Sequence, residues 1–207
     1  MCSKGIAALN IKIILLLFIA MLSVSTSPII ARYLGEVQAV TISFWRMGLG
    51  ALVLWSIGLV KKQVPLRSEN LKRTIIAGIF LGIHFTLFFN SIKLTTIANA
   101  TFLGTLAPLI TFIIEKYFLK RNHAPGLILG LVLAVCGAVI IVGHRFDFSS
   151  AYTIGNLLAV ACSIFLGVSF IISENVRKEV GTISYARTLF SAAAFTLIII
   201  AFFTGTD

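Results

Sequence analysis

Seven stretches of this chain are each long and apolar enough to cross a bilayer, and that fact limits its fold more than any motif does. They run approximately over 11–31, 40–60, 74–93, 97–117, 125–143, 153–173 and 185–204. A helix needs roughly 20 mainly apolar residues to span a hydrocarbon core of about 30 Å. Within hydrocarbon every backbone N–H and C=O must be satisfied internally, which leaves helices as the form for such segments. The chain is 58% hydrophobic and only 12% charged, with a mean hydropathy of +1.04. A polytopic, all-α membrane protein follows. The first run, preceded by Lys4 and Lys12, is too long for a signal peptide and is read as a retained helix.

The net charge of +10 would suggest nucleic acid in a soluble protein. Here it sorts by loop. With the N-terminus in the cytoplasm, thirteen of the 17 lysines and arginines fall on the cytoplasmic side and four (Arg32, Arg46, Lys93, Arg145) on the other. That is the positive-inside pattern. No nucleic-acid partner, metal or cofactor is expected. Cys2, Cys136 and Cys162 make no disulfide framework, and the latter two sit in apolar runs as small hydrophobes.

The hexapeptide Thr41-Ile42-Ser43-Phe44-Trp45-Arg46 recurs as Thr182-Ile183-Ser184-Tyr185-Ala186-Arg187, an offset of 141 residues. Each copy opens an apolar run. The first enters from outside and the second from inside, so the second copy is inverted. Inverted repeats are the plan of many secondary transporters, with the substrate near the midplane. By this register residue 207 matches Leu66. The expected organisation is therefore one five-helix unit over 1–143 and the first two helices of a second over 144–207. Three further helices would complete that second unit, contributed by a longer chain or by a partner.

Three stretches together resemble a known family. Phe44-Trp45-Arg46 is followed by Gly48 and by Leu49-Gly50-Ala51. A run from Phe89-Asn90-Ser91 to Ala98-Asn99-Ala100 joins helices three and four. The third stretch runs from Pro108-Leu109-Ile110-Thr111 to Phe118-Leu119-Lys120-Arg121, then Gly130 and Gly137-Ala138. In order and spacing these are similar to the EamA-like members of the drug/metabolite transporter superfamily. That resemblance implies ten helices in two inverted five-helix units, in a carrier or exporter of small metabolites or drugs. It also implies an integral protein of the bacterial cytoplasmic membrane, with the lipid bilayer and a small-molecule substrate as partners and a homodimer as one possible assembly. Leu119-Lys120-Arg121 departs from the family's Gly-Glu-Arg, and the nearest acid is Glu115.

Candidate substrate residues follow from depth and spacing. His84 lies about ten residues into helix three, roughly 15 Å or half the apolar core. Pro108 lies at similar depth in helix four and frees the carbonyl of Gly104. A midplane histidine beside a broken hydrogen-bond ladder is either a substrate or proton site or a structural interhelical contact. His84, Phe88 and Ser91 share a helix face. Asn90 and Asn99 lie toward the outer ends and either line a vestibule or bond between helices. Arg46 either snorkels in an aromatic belt or binds an anionic substrate group. The cluster around Ser25 and Pro28 either relieves a kink or lines a path. Glu115 and Lys116 are expected to be solvated helix-end charges. Rows of small residues at intervals of four in helices three, five and six are expected to be packing faces.

Two other classes fit poorly. Gly167-Val168-Ser169 is a weak match to a membrane serine-protease nucleophile, and His84, His123 and His144 occupy three different depths, whereas a nucleophile needs its base within about 3 Å. No His-Glu-x-x-His pair occurs. A seven-helix receptor would carry its N-terminus on the opposite side.

Overall fold

The computed structural model of the protein describes residues 11–60, 63–142 and 150–205. His144, Arg145, Lys4, Lys61 and Lys62 lie outside the described residues. Those that are described form eight helices and no strand: α1 (Ile11–Tyr33), α2 (Ala39–Val60), α3 (Ser68–Leu94), α4 (Ile97–Gly104), α5 (Ala107–Tyr117), α6 (Pro125–Val142), α7 (Ser150–Glu179) and α8 (Thr182–Thr204). Six segments are long and apolar enough to cross a membrane, with α4 and α5 counted together as Ile97–Tyr117. The seventh, α6, is shorter at 18 residues. The sequence underestimates two helices. α3 begins at Ser68 and runs for 27 residues, and α7 runs for 30. Their polar ends carry no hydropathy signal yet stay helical, because Asn70 donates to Glu179 across the two ends (2.9 Å).

The fourth expected span is two helices. Thr105 closes α4, with its N–H bonding back to Thr101 and Phe102, and α5 restarts with Pro108 in its first turn. Proline has no N–H to give and is preorganised for a helix start. The break therefore falls one turn ahead of the proline.

α3 is the centre of the bundle. It packs along α7 and α8, and α2 closes against α8. The α3–α7 and α2–α8 pairs are both antiparallel: Gly155 meets Thr95 while Ser169 meets Ala77, and Gly50 meets Phe190 while Ser184 meets Val64. Glycine sets the approach. A Cβ on Gly78 would lie 2.6 Å from the Ala192 Cβ and 2.7 Å from the Leu189 carbonyl oxygen. One on Gly155 would lie 2.8 Å from the Thr95 nitrogen. Between membrane helices close approach and interhelical hydrogen bonds replace the hydrophobic drive available in water. Thr95 accordingly donates to Asn156 (2.9 Å), Ser169 to the Ala77 carbonyl (2.9 Å) and Tyr185 to Ser173 (2.5 Å). One core cluster joins residues of α2, α3, α7 and α8, so the last two helices share a core with the second and third.

The small-residue rows divide. Those of α3 and α7 are packing faces, as their spacing predicts. That of α6 is not: a Cβ added at Gly126 or Gly130 would meet nothing within 4 Å among the described residues. Spacing gives a face but not a neighbour. α1 likewise turns most of its apolar side chains outward.

The turn after α5 holds the one described non-glycine residue with positive φ, Lys120 at 51°. Arg121 N–H reaches back to the Glu115 carbonyl (2.9 Å), a helix-ending geometry that favours glycine at the left-handed position. Two stability predictions result. Gly78→Ala should lower the melting temperature in detergent, since overpacking costs about 1–3 kcal/mol, while Gly130→Ala should not lower it. Lys120→Gly should raise it, by relieving roughly 1 kcal/mol of left-handed strain. Circular dichroism at 222 nm reads all three.

Candidate functional site

A cavity of about 1130 Å³ occupies the half of the bundle nearest the α1–α2 and α3–α4 turns. Its walls come from the second half of α1, from α3 at the level of His84, from α4 and from Leu166 of α7. The wall is mostly apolar, with Phe85, Phe88 and Phe102, and carries hydroxyls from Ser25, Ser27, Thr96, Thr101 and Thr105.

Arg46 projects into this cavity from α2. Its guanidinium stands 4.8 Å from the centroid of the Phe85 ring and donates to the Ser27 hydroxyl. No carboxylate among the described residues lies within ion-pair distance of it. It is half-buried, not an arginine reaching for the interface. Its outward neighbour Trp45 fills that role, being 58% exposed on the opposite side of α2.

His84 sits at the floor. It is buried, stacks on Phe88 (5.9 Å between centroids, 12° between planes) and meets Phe85 edge-on at 4.9 Å. Its Nδ1 lies 2.8 Å from the Cys162 carbonyl oxygen. A carbonyl only accepts, so Nδ1 carries the hydrogen and Nε2 is the remaining acceptor.

Arg32 guards the mouth. It donates to the carbonyls of Ile92, Lys93 (3.3 Å) and Thr95 (3.2 Å) at the end of α3. Lys93 answers by donating to the Gly35 (2.8 Å) and Val37 carbonyls of the α1–α2 turn. The last carbonyls of a helix lack partners in the helix and carry its negative dipole end, so cations cap them well.

Of the residues picked out in the sequence, Ser25, Arg46, His84 and Phe88 line one cavity. Asn90, Ser91, Asn99 and Pro108 are not among its lining. Asn90 bonds within its own helix, to the Thr86 carbonyl (2.8 Å). Ser91 and Asn99 are fully buried, and the Ser91 hydroxyl and both polar atoms of the Asn99 amide have no protein partner. Pro108 sits in the first turn of α5 and shapes the wall only through the break it enforces. Arg32, Phe85 and Thr101 were missed as site residues. The signal for Phe85 was its place next to His84; for Arg32, nothing in the sequence pairs it with the end of α3.

At the far end of α5 Lys116 is exposed, as expected, whereas Glu115 is half-buried and paired. Arg121 bridges Glu115 (2.9 Å) and Glu174 of α7 (2.6 Å), and His123 lies 3.4 Å from the second Glu115 oxygen. The Glu174 hydrogen bond raises the Arg121 pKa above its ordinary value. The turn at Lys120 folds Arg121 back over Glu115, which sequence distance did not suggest. Ser169, the weak nucleophile match, has its hydroxyl committed to the Ala77 carbonyl.

A family model for the EamA-like transporter family matches residues 11–143. The chain belongs to that family. Among curated relatives, this EamA-like protein is 25% identical over 205 residues to YyaM, an uncharacterized transporter of Bacillus subtilis (strain 168), covering 95% of this chain and 66% of that one. It is 28% identical over 130 residues to YddG, an aromatic amino acid exporter of Ancylobacter novellus, covering 61% of this chain and 45% of the exporter. A solved crystal structure shares the fold at a TM-score of 0.64 and 21% identity, over 86% of this chain and 66% of that one. The chain thus spans less than two thirds of the length of the curated relatives it matches. It is an integral membrane protein of a transporter family.

The cap on α3 is testable. Arg32→Gln should speed amide hydrogen exchange in the last turn of α3 and at Thr95–Thr96 while leaving residues 74–82 protected, as read by mass spectrometry in detergent micelles.

Proposed function

We propose that this chain works in a membrane carrier that moves small amphiphilic metabolites or drugs by alternating access, with the cavity between α1, α3, α4 and α7 as the substrate site. The observation that carries the reading is the cavity itself. It combines an apolar, aromatic wall with a few convergent polar groups, the usual make-up of a small-molecule site. The glycine-tight α3–α7 and α3–α8 contacts pack the bundle beyond its lining.

The repeated hexapeptide supports the inverted-repeat plan. Ser43 and Ser184 are both fully buried, and Phe44 and Tyr185 meet in the same core cluster. Their helices, α2 and α8, start at opposite ends of the bundle. Rocking of the two units about this crossing would expose the cavity to each side in turn. Loop charge favours a cytoplasmic N-terminus, which puts the cavity on the outer side of the membrane.

His84 is the proposed coupling group. Its Nδ1 is held by the Cys162 carbonyl, leaving Nε2 to gain or lose a proton at the cavity floor. In proteoliposomes, flux through the wild-type chain should depend on a proton gradient, and His84→Gln should lose that dependence. An unchanged response would remove His84 from the mechanism.

Accessibility tests the cavity independently. In a Cys2→Ser, Cys136→Ser background, Ser25→Cys and Thr101→Cys should react with a membrane-impermeant maleimide from one side of the membrane, and Leu52→Cys, which faces outward at 64% exposure, should not. Equal labelling of all three would sink the assignment of this cavity as the aqueous path.

A further inference from the structure

Among the described residues the cavity is lined by cations and no anion. Arg46 and Arg32 line it, and none of its lining residues is an aspartate or glutamate. The two arginines differ in what they have left to give. Arg32 is committed to the three carbonyls at the end of α3. Arg46 has a ring on one side and one serine hydroxyl as its hydrogen-bond acceptor. A guanidinium carries five N–H donors in a planar fork matched to a carboxylate. Four of them have no protein acceptor among the described residues, half-buried in the wall of a membrane cavity.

An ionisable group at such a place is costly unless a partner compensates it. Burial inside proteins is normally met by pairing or by multiple hydrogen bonds. The Phe85 ring gives a weak cation–π contact with the guanidinium. Phe88 and Phe102 line the same cavity, an apolar surface for the body of a ligand held by Arg46.

We propose that Arg46 is the head-group anchor of this cavity, and that its ligands are small amphiphilic organic anions: one carboxylate on Arg46 and an aromatic or branched apolar body against Phe85, Phe88 and Phe102. The inference rests on the reading of this cavity as the substrate site. Among the described lining residues an ammonium group finds no carboxylate partner, so an amine without an acid is expected to bind weakly.

The test uses three probes of one shape, titrated calorimetrically into the purified full chain in dodecyl maltoside: 3-phenylpropionate, phenylalanine and phenethylamine. The expected order is phenylpropionate at least as tight as phenylalanine, and phenethylamine at least about tenfold weaker, the size of one charge-assisted hydrogen bond. Arg46→Gln should weaken phenylpropionate by at least the same factor, and Arg46→Lys, which keeps the charge but not the fork, by less. Should Arg46→Gln not fold, the charge series on the wild-type chain and Arg46→Lys still decide. Phenethylamine binding as tightly as phenylpropionate, or phenylalanine binding well while phenylpropionate does not, overturns the anion proposal and leaves the cavity as a substrate site. Binding of none of the three overturns the cavity reading and the proposal with it. A repeat with phosphatidylglycerol in the micelle distinguishes the source of the anion. If the lipid abolishes phenylpropionate binding at micelle concentrations well below the probe's, the anchor belongs to a lipid head group and the proposal fails.

Discussion

The α3–α7 contact is the constraint on which the rest of the bundle depends. In lipid, helices gain nothing hydrophobic by leaving acyl chains for one another. They associate through close packing and hydrogen bonds that hydrocarbon cannot offer. Along this seam both occur together. Gly155 lets α7 press against the backbone at Thr95, and Asn70–Glu179, Ser169–Ala77, His84–Cys162 and Thr95–Asn156 tie it along nearly its full length. α8 then nests on the other side of α3 through Gly78 and Gly82. With α3 held on two faces, its remaining face is free to line a cavity.

That arrangement explains why His84 is at once structural and exposed to the cavity. One ring nitrogen is part of the seam and the other edge of the ring is part of the wall. The same division holds for Arg46. Its ring contact belongs to packing between α2 and α3, one donor is held by Ser27, and the guanidinium lines the cavity. The cavity ends where the seam begins, so packing and access are set by the same residues. The Arg121 bridge between α5 and α7 closes the opposite end by charge instead of glycine. Partly exposed pairs of this kind respond to salt.

The broken fourth span shows how much a single imino acid decides. Pro108 was legible as a defect in the ladder, and hydropathy averaged across it as one helix. The consequence, a cavity wall built from the short α4 alone with Thr101 and Thr105 turned inward, required knowing what the freed end packs on. Asn99 is the counter-example: its polarity allowed either a vestibule wall or a bond between helices, and it is fully buried away from the cavity lining, its side-chain amide with no partner among the described residues.

Sequence alone determined that this is a polytopic helical membrane protein and that the second copy of the Thr-Ile-Ser motif opens a helix; it expected seven spans, of which six are long and apolar enough in the structure. Those follow from hydropathy, loop charge and offset, which act residue by residue and need no neighbours. It also marked Ser25, Arg46, His84 and Phe88, because polar or aromatic groups at depth are costly unless used. Tertiary structure decided which of these meet. It chose α3 as the centre, left α6 with a glycine row facing nothing, folded Arg121 back onto Glu115, and set Arg32 on the end of α3. Each of those outcomes depends on which helices touch, and in a bundle where almost every span is uniformly apolar the sequence does not carry that choice.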